Sequence, residues 1–152
     1  MHDSLTDMYN RNYFEQQMQK YCTEINCPVA IVSCDVDGLK QVNDTKGHVE
    51  GDKMIQSAAT MLKQYFGEHG DVARIGGDEF AVILTNCDEV IVANLCAAFD
   101  EFLSAYNLEH DLQLSVSVGY AYSNHSFKDM GKLFAQADQQ MYKQKRAKYE
   151  AV

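Results

Sequence analysis

No apolar run in these 152 residues approaches the roughly twenty that span a bilayer, and the N-terminus lacks the basic-then-apolar order of a secretory leader. A soluble, cytoplasmic chain without membrane contact is expected. Proline occurs once, at Pro28, and no internal repeat, linker or low-complexity stretch marks a second domain, so residues 1–152 read as one unit. The five cysteines (Cys22, Cys27, Cys34, Cys87 and Cys96) contain no C-x-x-C pair and no nearby histidine at ligand spacing. That argues against zinc and against a disulfide framework, and leaves buried, reduced thiols. Basic residues are scarce: 13 Lys and Arg against 22 Asp and Glu give a net charge of −9. No nucleic-acid partner is expected, because binding a polyanion rests on clustered cations. A small phosphorylated ligand escorted by a divalent cation remains compatible, since the metal brings the positive charge the chain lacks.

What is present is the material of a core, with 46% of residues hydrophobic and 23% charged. From Ser4 to Ile25, Phe14, Met18, Tyr21, Cys22 and Ile25 form a helical stripe behind the polar turn Asp7-Met8-Tyr9-Asn10-Arg11. Val29 to Cys34 is a continuous apolar run suited to a strand buried on both faces. A helix is expected from about Asp52 to Phe66, where Met54, Ile55, Ala58, Met61, Leu62 and Tyr65 recur at helical spacing. Another runs from Asn86-Cys87-Asp88 through Tyr106, with Val92, Leu95, Phe99, Phe102 and Leu103 on one face. Leu112, Leu114, Val116 and Val118 alternate with Gln113, Ser115 and Ser117, the period of a half-exposed strand. Ser126 to Asp129 reads as a capping box for a last helix with a core face of Met130, Leu133, Phe134, Ala137 and Met141 and a basic end at Lys143, Lys145, Arg146 and Lys148.

Gly76-Gly77-Asp78-Glu79 stands between the apolar runs Asp71–Ile75 and Phe80–Leu84, and this reads as a β-hairpin with a chemical tip. Glycine reaches positive φ without a Cβ clash but costs roughly 0.5 to 1 kcal/mol relative to alanine. A pair of them implies either a demanding turn or a ligand that comes close to the main chain; an exposed turn with solvated acids is the plain alternative. The order strand-helix-strand-strand-helix-strand is the ferredoxin-like split βαβ plan, an α+β (α/β) sandwich with a central antiparallel sheet and helices packed around it. The first strand and the first hairpin arm are expected at its centre.

In that plan the close of the first strand, Asp35-Val36-Asp37-Gly38, neighbours the hairpin tip and brings Asp35 and Asp37 near Asp78 and Glu79. Carboxylates about 4 Å apart repel by roughly 4 kcal/mol at an effective dielectric near 20, so such a cluster must be protonated, spread apart or filled by a cation. All-oxygen ligands favour Mg²⁺ or Mn²⁺ over zinc, completed by substrate phosphates; solvated acids on separate loops are the alternative. Between the two acidic stretches, Asn43 to Asp52 forms a polar turn with two glycines. There Asn43 and Asp52 either join a strand to a helix, with the acid suiting the helix dipole, or offer an amide and a carboxylate to a purine edge. A carboxylate accepting two N–H groups selects guanine over adenine.

The run Asp35-Val36-Asp37-Gly38-Leu39-Lys40-Gln41-Val42-Asn43-Asp44-x-x-Gly47-His48-x-x-Gly51-Asp52, followed by Arg74-Ile75-Gly76-Gly77-Asp78-Glu79-Phe80, closely resembles the GGDEF-domain diguanylate cyclases. Leu5-Thr6-x-x-x-Asn10-Arg11, Ser117-Val118-Gly119 and Ala137-Asp138-x-x-Met141-Tyr142-x-x-Lys145 match as well, so the likeness covers nearly the whole chain. It implies a nucleotidyl-cyclase or polymerase-palm-like fold and the condensation of two GTP into cyclic di-GMP across a two-fold homodimer, with two Mg²⁺ or Mn²⁺ ions per site. Carried over residue by residue, Asp35, the Val36 carbonyl and Asp78 bind metal. Glu79 supports the second metal or the proton transfer. Asn43 and Asp52 read guanine, with Leu5 lining the base pocket and His48 nearby. Lys40 and Lys145 meet phosphates, and the Gly76 and Gly77 main chain lies against the triphosphate. Asp78 is placed to take the proton, and Arg74 either touches a phosphate or pairs with an acid. The likeness further implies a catalytic piece of a longer protein with an upstream sensory segment.

Three departures stand out. Gly67 and Gly70 occupy the positions of the family's Arg-x-x-Asp product-inhibition motif, so that feedback is not expected. Lys148-Tyr149 replaces the usual Gly-Arg and removes one expected phosphate contact, and Asp7-Met8 replaces Gly-Leu. Two other readings of the chain are a GTP-binding regulatory module with little turnover and a purely structural domain.

Overall fold

The computed structural model describes residues 1–150. Along the chain come α1 (Arg11–Thr23), β1 (Val29–Val36), α2 (Leu39–Lys46), α3 (His48–Phe66), β2 (Asp71–Arg74), β3 (Glu79–Thr85), α4 (Glu89–Ala97), α5 (Phe99–Leu108), β4 (Val116–Ser123) and α6 (Met130–Glu150). The sheet is antiparallel throughout with strand order β2-β3-β1-β4. The expected split βαβ sandwich is therefore present, but its centre differs in one strand: the second hairpin arm, β3, lies beside β1, and the first arm, β2, forms an edge. Apolar length explains the exchange, because Phe80 to Leu84 is buried without interruption whereas Asp71 and Arg74 leave β2 only two buried residues.

Strand alternation divides the core between the two faces of the sheet. Ala30, Val32, Cys34, Val36, Phe80, Val82 and Leu84 face one side and pack with residues of α3, α4 and α5. Val29, Ile31, Ala81 and Ile83 face the other and meet Phe14 of α1 and Met130, Leu133 and Ala137 of α6. Both sheet edges are covered. The Tyr9 carbonyl accepts from Arg74 N at 2.8 Å along β2, and the amide oxygens of Gln140 and Gln144 accept from Tyr120 N and Val118 N of β4 at 2.6 Å each.

The polar turn expected over 43–52 is mostly helical, with Asn43 and Asp44 in α2 and Asp52 in α3, joined through Gly47 at φ +90°. The single helix expected through Tyr106 is two, meeting at Ala98, with Phe99 buried against Tyr65 and Phe66. The late strand begins at Val116. Leu114 precedes it, its N–H and carbonyl both held by the Asn107 side chain. Ser126 caps no helix: its buried hydroxyl donates to the Ile25 carbonyl and accepts from Cys27 N, tying the α1–β1 connection to the start of α6.

Candidate functional site

Two backbone contacts bring the glycine turn to the close of β1: Val36 N donates to the Asp78 carbonyl at 2.8 Å, and Asp35 pairs across the ladder with Glu79. Acids about forty positions apart thus share one end of the sheet, at a cleft of about 740 Å³ whose lining includes Gly38, Lys40, Asp78, Lys145, Lys148 and Tyr149. A second groove, of about 560 Å³, lies between α1 and α6 over Phe14, Met18, Met130 and Phe134 and holds none of the expected site residues.

Asp35 is buried at 4% exposure. Its Oδ2 accepts from Lys145 Nζ at 2.6 Å, and its Oδ1 has no partner among the described residues. Burial pushes the Asp35 carboxyl up, Lys145 works against that and the neighbouring Asp78 charge adds to it, leaving it raised to about 6. For Lys145, desolvation favours the neutral amine, but the hydrogen bond and charge of Asp35 outweigh it and the ammonium is held above its usual range.

The four acids expected to converge do not form one cluster. Asp37 turns away toward β4, where its carboxylate accepts from Ser115 Oγ at 2.7 Å, from Ser117 Oγ at 2.9 Å and from Lys148 Nζ at 3.0 Å. Among the described residues no group of three or more His, Cys, Asp or Glu side chains is set to hold a metal ion. Lysines carry the neutralising charge instead. Asp35, Asp78 and the Val36 carbonyl nevertheless fit a hard divalent cation, because they are all oxygen donors and one buried carboxylate oxygen is unsatisfied.

Positive φ occurs at Gly38 and Gly47 and not at Gly76 or Gly77. A Cβ on Gly76 would lie 3.2 Å from Glu79 Oε2, whereas one on Gly77 would meet nothing within 4 Å. A turn that demands positive φ is therefore set aside, which leaves a ligand close to the main chain and an exposed turn as the two readings of the paired glycines. Of the two roles open to Arg74, a phosphate contact or a pair with an acid, the structure shows the second: it donates to Asp3 Oδ2 at 3.1 Å and braces the turn through the Gly76 carbonyl at 3.1 Å and the Gly77 carbonyl at 2.9 Å.

The expected base-reading residues gather at the α2–α3 end. Asn43 lies over Gly51 so closely that a Cβ there would fall 1.8 Å from Asn43 Oδ1, and Asp52 follows Gly51 directly. The Leu5 carbonyl accepts from Gln56 Nε2, one turn after Asp52, at 3.1 Å. His48 opens α3 and is exposed. At the product-inhibition positions, a Cβ on Gly70 would meet the Ile83 carbonyl at 2.2 Å, so the backbone leaves no room for the motif's acid. Asp3, Ser115, Ser117 and the Lys148 partnership were not foreseen. Ser117 alternates with valines as a solvent-facing residue would, and only the pairing of Asp35 with Ser117 places it inside.

With this geometry in place, comparisons place the chain among known proteins. A family profile described as diguanylate cyclase, GGDEF domain, matches residues 1–151. YhcK of Bacillus subtilis is 33% identical over 94% of the chain, and DgcN of Escherichia coli, named a diguanylate cyclase, is 31% identical over 99%. The chain spans 42% and 38% of those two proteins. The solved coiled coil and GGDEF domain of DgcB from Caulobacter crescentus, in complex with c-di-GMP, superposes with a TM-score of 0.82 at 25% identity, covering 96% of this chain and 81% of that one. Sequence and fold agree: this chain belongs to the GGDEF-domain family of diguanylate cyclases.

Proposed function

We propose that the chain is the catalytic domain of a diguanylate cyclase that joins two GTP molecules into cyclic di-GMP with release of two pyrophosphates. The observation that carries the reading is the unsatisfied Asp35 Oδ1, buried beside Asp78 where the open main chain of Gly77 lines the approach. Asp35, the Val36 carbonyl and Asp78 hold a first Mg²⁺ or Mn²⁺ ion, and Glu79 supports a second. When bound, such ions supply positive charge against the α-phosphate and the departing pyrophosphate.

The chain's own groups do the rest. Lys40 and Lys145 meet phosphates in the cleft, and Asn43 and Asp52 select guanine with Leu5 along the base and His48 nearby. Asp78 accepts the 3′-hydroxyl proton directly or through water. The hydroxyl oxygen then attacks the partner nucleotide's α-phosphorus, breaking its bond to pyrophosphate. One chain holds one nucleotide, so a second copy must face it to close the ring, and dimerisation is part of the reaction. A cytoplasmic setting and an upstream regulatory segment in a longer protein complete the proposal.

Incubation with GTP and Mg²⁺ tests it: cyclic di-GMP and pyrophosphate form with wild type and not with Asp78→Ala. One observation favours a second reading, a GTP-binding regulatory module: Tyr149, 61% exposed, lines the cleft where a further phosphate-binding arginine is expected. Tight GTP binding without product at high protein concentration would establish that reading instead.

A further inference from the structure

Two ion pairs join α6 to the end of β1, and their hydrogen bonding differs. Lys148 Nζ has three acceptors for its three protons: Asp37 Oδ2 at 3.0 Å, the Val116 carbonyl at 2.9 Å and Ser115 Oγ at 3.5 Å. Lys145 Nζ has one among the described residues, Asp35 Oδ2 at 2.6 Å, and shares its cleft with Asp78 and Lys40. The acids differ in the same way. Asp37 also takes both serine hydroxyls, while Asp35 keeps a buried oxygen with no partner among the described residues. One rung of this ladder is saturated and the other is free to exchange.

A carboxylate as buried as Asp35 stays ionised only beside a cation. In the nucleotide-free protein that cation is Lys145. A divalent ion at Oδ1 would sit across a single carboxyl group from the ammonium, and like charges so close repel strongly where water is excluded. Nucleotide phosphates in the same cleft offer the ammonium another anion.

We propose that Lys145 is an exchangeable counter-ion, which holds Asp35 in the empty protein, opposes a divalent cation arriving alone, and passes to the substrate's phosphates when cation and nucleotide arrive together. This rests on the metal and nucleotide reading given above. Lys148 stays on Asp37 and keeps α6 in register, so the exchange moves one side chain and leaves the helix in place. Metal and nucleotide then bind cooperatively, each removing a cost the other would meet.

Mn²⁺ uptake followed by electron paramagnetic resonance, at about pH 8, tests this with wild type and Lys145→Gln, first without nucleotide and then with a non-hydrolysable GTP analogue. Lys145→Met gives the same reading if the glutamine variant fails to fold. The neutral variant is expected to bind Mn²⁺ alone about tenfold tighter than wild type and to lose most of the gain in Mn²⁺ affinity that the analogue confers. Unchanged or weaker Mn²⁺ binding in the folded variant, or a full analogue-dependent gain, would overturn the exchange while leaving the metal site standing. Absence of Mn²⁺ uptake by wild type even with the analogue would instead remove the underlying reading, and the exchange with it.

Discussion

Asp35 and Asp3 are carboxylates whose protonation moves stability in opposite directions. The Asp35 carboxyl is raised to about 6, chiefly by burial. Its favourable contribution is therefore present below about pH 4, its unfolded value, and is lost as pH rises through about 6. Asp3 is desolvated too, but Thr6 and Arg74 hold its carboxyl below the usual range, so its contribution is present above the unfolded value and is lost on acidification. A divalent cation that takes ionised Asp35 offsets the cost at high pH. Mg²⁺ should raise the thermal midpoint at about pH 8 and have little effect at about pH 5; equal shifts at both would contradict a role for Asp35. Gly51 offers a second test, because its missing Cβ is where the Asn43 amide lies. Gly51→Ala should leave stability unchanged or improve it by up to about 1 kcal/mol, as alanine suits a helix interior, while weakening GTP binding in calorimetry. At this scale the meeting of Asp35 with the Asp78-Glu79 turn was legible from the order of strands, whereas Asp37, expected in the same cluster, turns to β4. The partners of Asp37 and Arg74 were not legible, since a serine facing a carboxylate and a serine facing water are the same letter.

Among the elements, the hairpin and the first strand followed from apolar runs, and the reversed roles of the hairpin arms followed from run length once the pairing was known. The division of α4 from α5 carried no breaker residue, and its cause is tertiary: Phe99 stacks near Phe66, with ring centres 5.7 Å apart, and packs edge-on to Tyr65. Phe99→Ala should cost about 3 to 5 kcal/mol in denaturant unfolding. The β4 edge is a separate case, since its outward N–H groups are satisfied by glutamines of α6 and not by a neighbouring strand. Replacing Gln140 and Gln144 by alanine should remove about 0.5 to 1.5 kcal/mol for each lost hydrogen bond. It should also expose a pairing edge, seen as increased light scattering on concentration. Unaltered scattering with the full stability loss would show that the glutamines bond without shielding.

For the whole molecule, a net charge of −9 opposes the pairing of two copies that the proposed reaction needs. Self-association in sedimentation should strengthen from low salt to about 0.15 M, where the screening length falls to about 8 Å; weakening with salt would mean that attractive charge pairs dominate the contact. The ordering of elements made the overall plan readable, and the motifs run from Leu5 to Lys145, which is why the family was legible from end to end. The contact between Asp3 and the glycine turn was not. Asp3 grips Arg74, and Arg74 grips the carbonyls of Gly76 and Gly77. The N-terminal turn is thus a handle on the stretch that the proposed reaction lays against a triphosphate, and a pull or twist applied there would be felt by the glycines through two side chains.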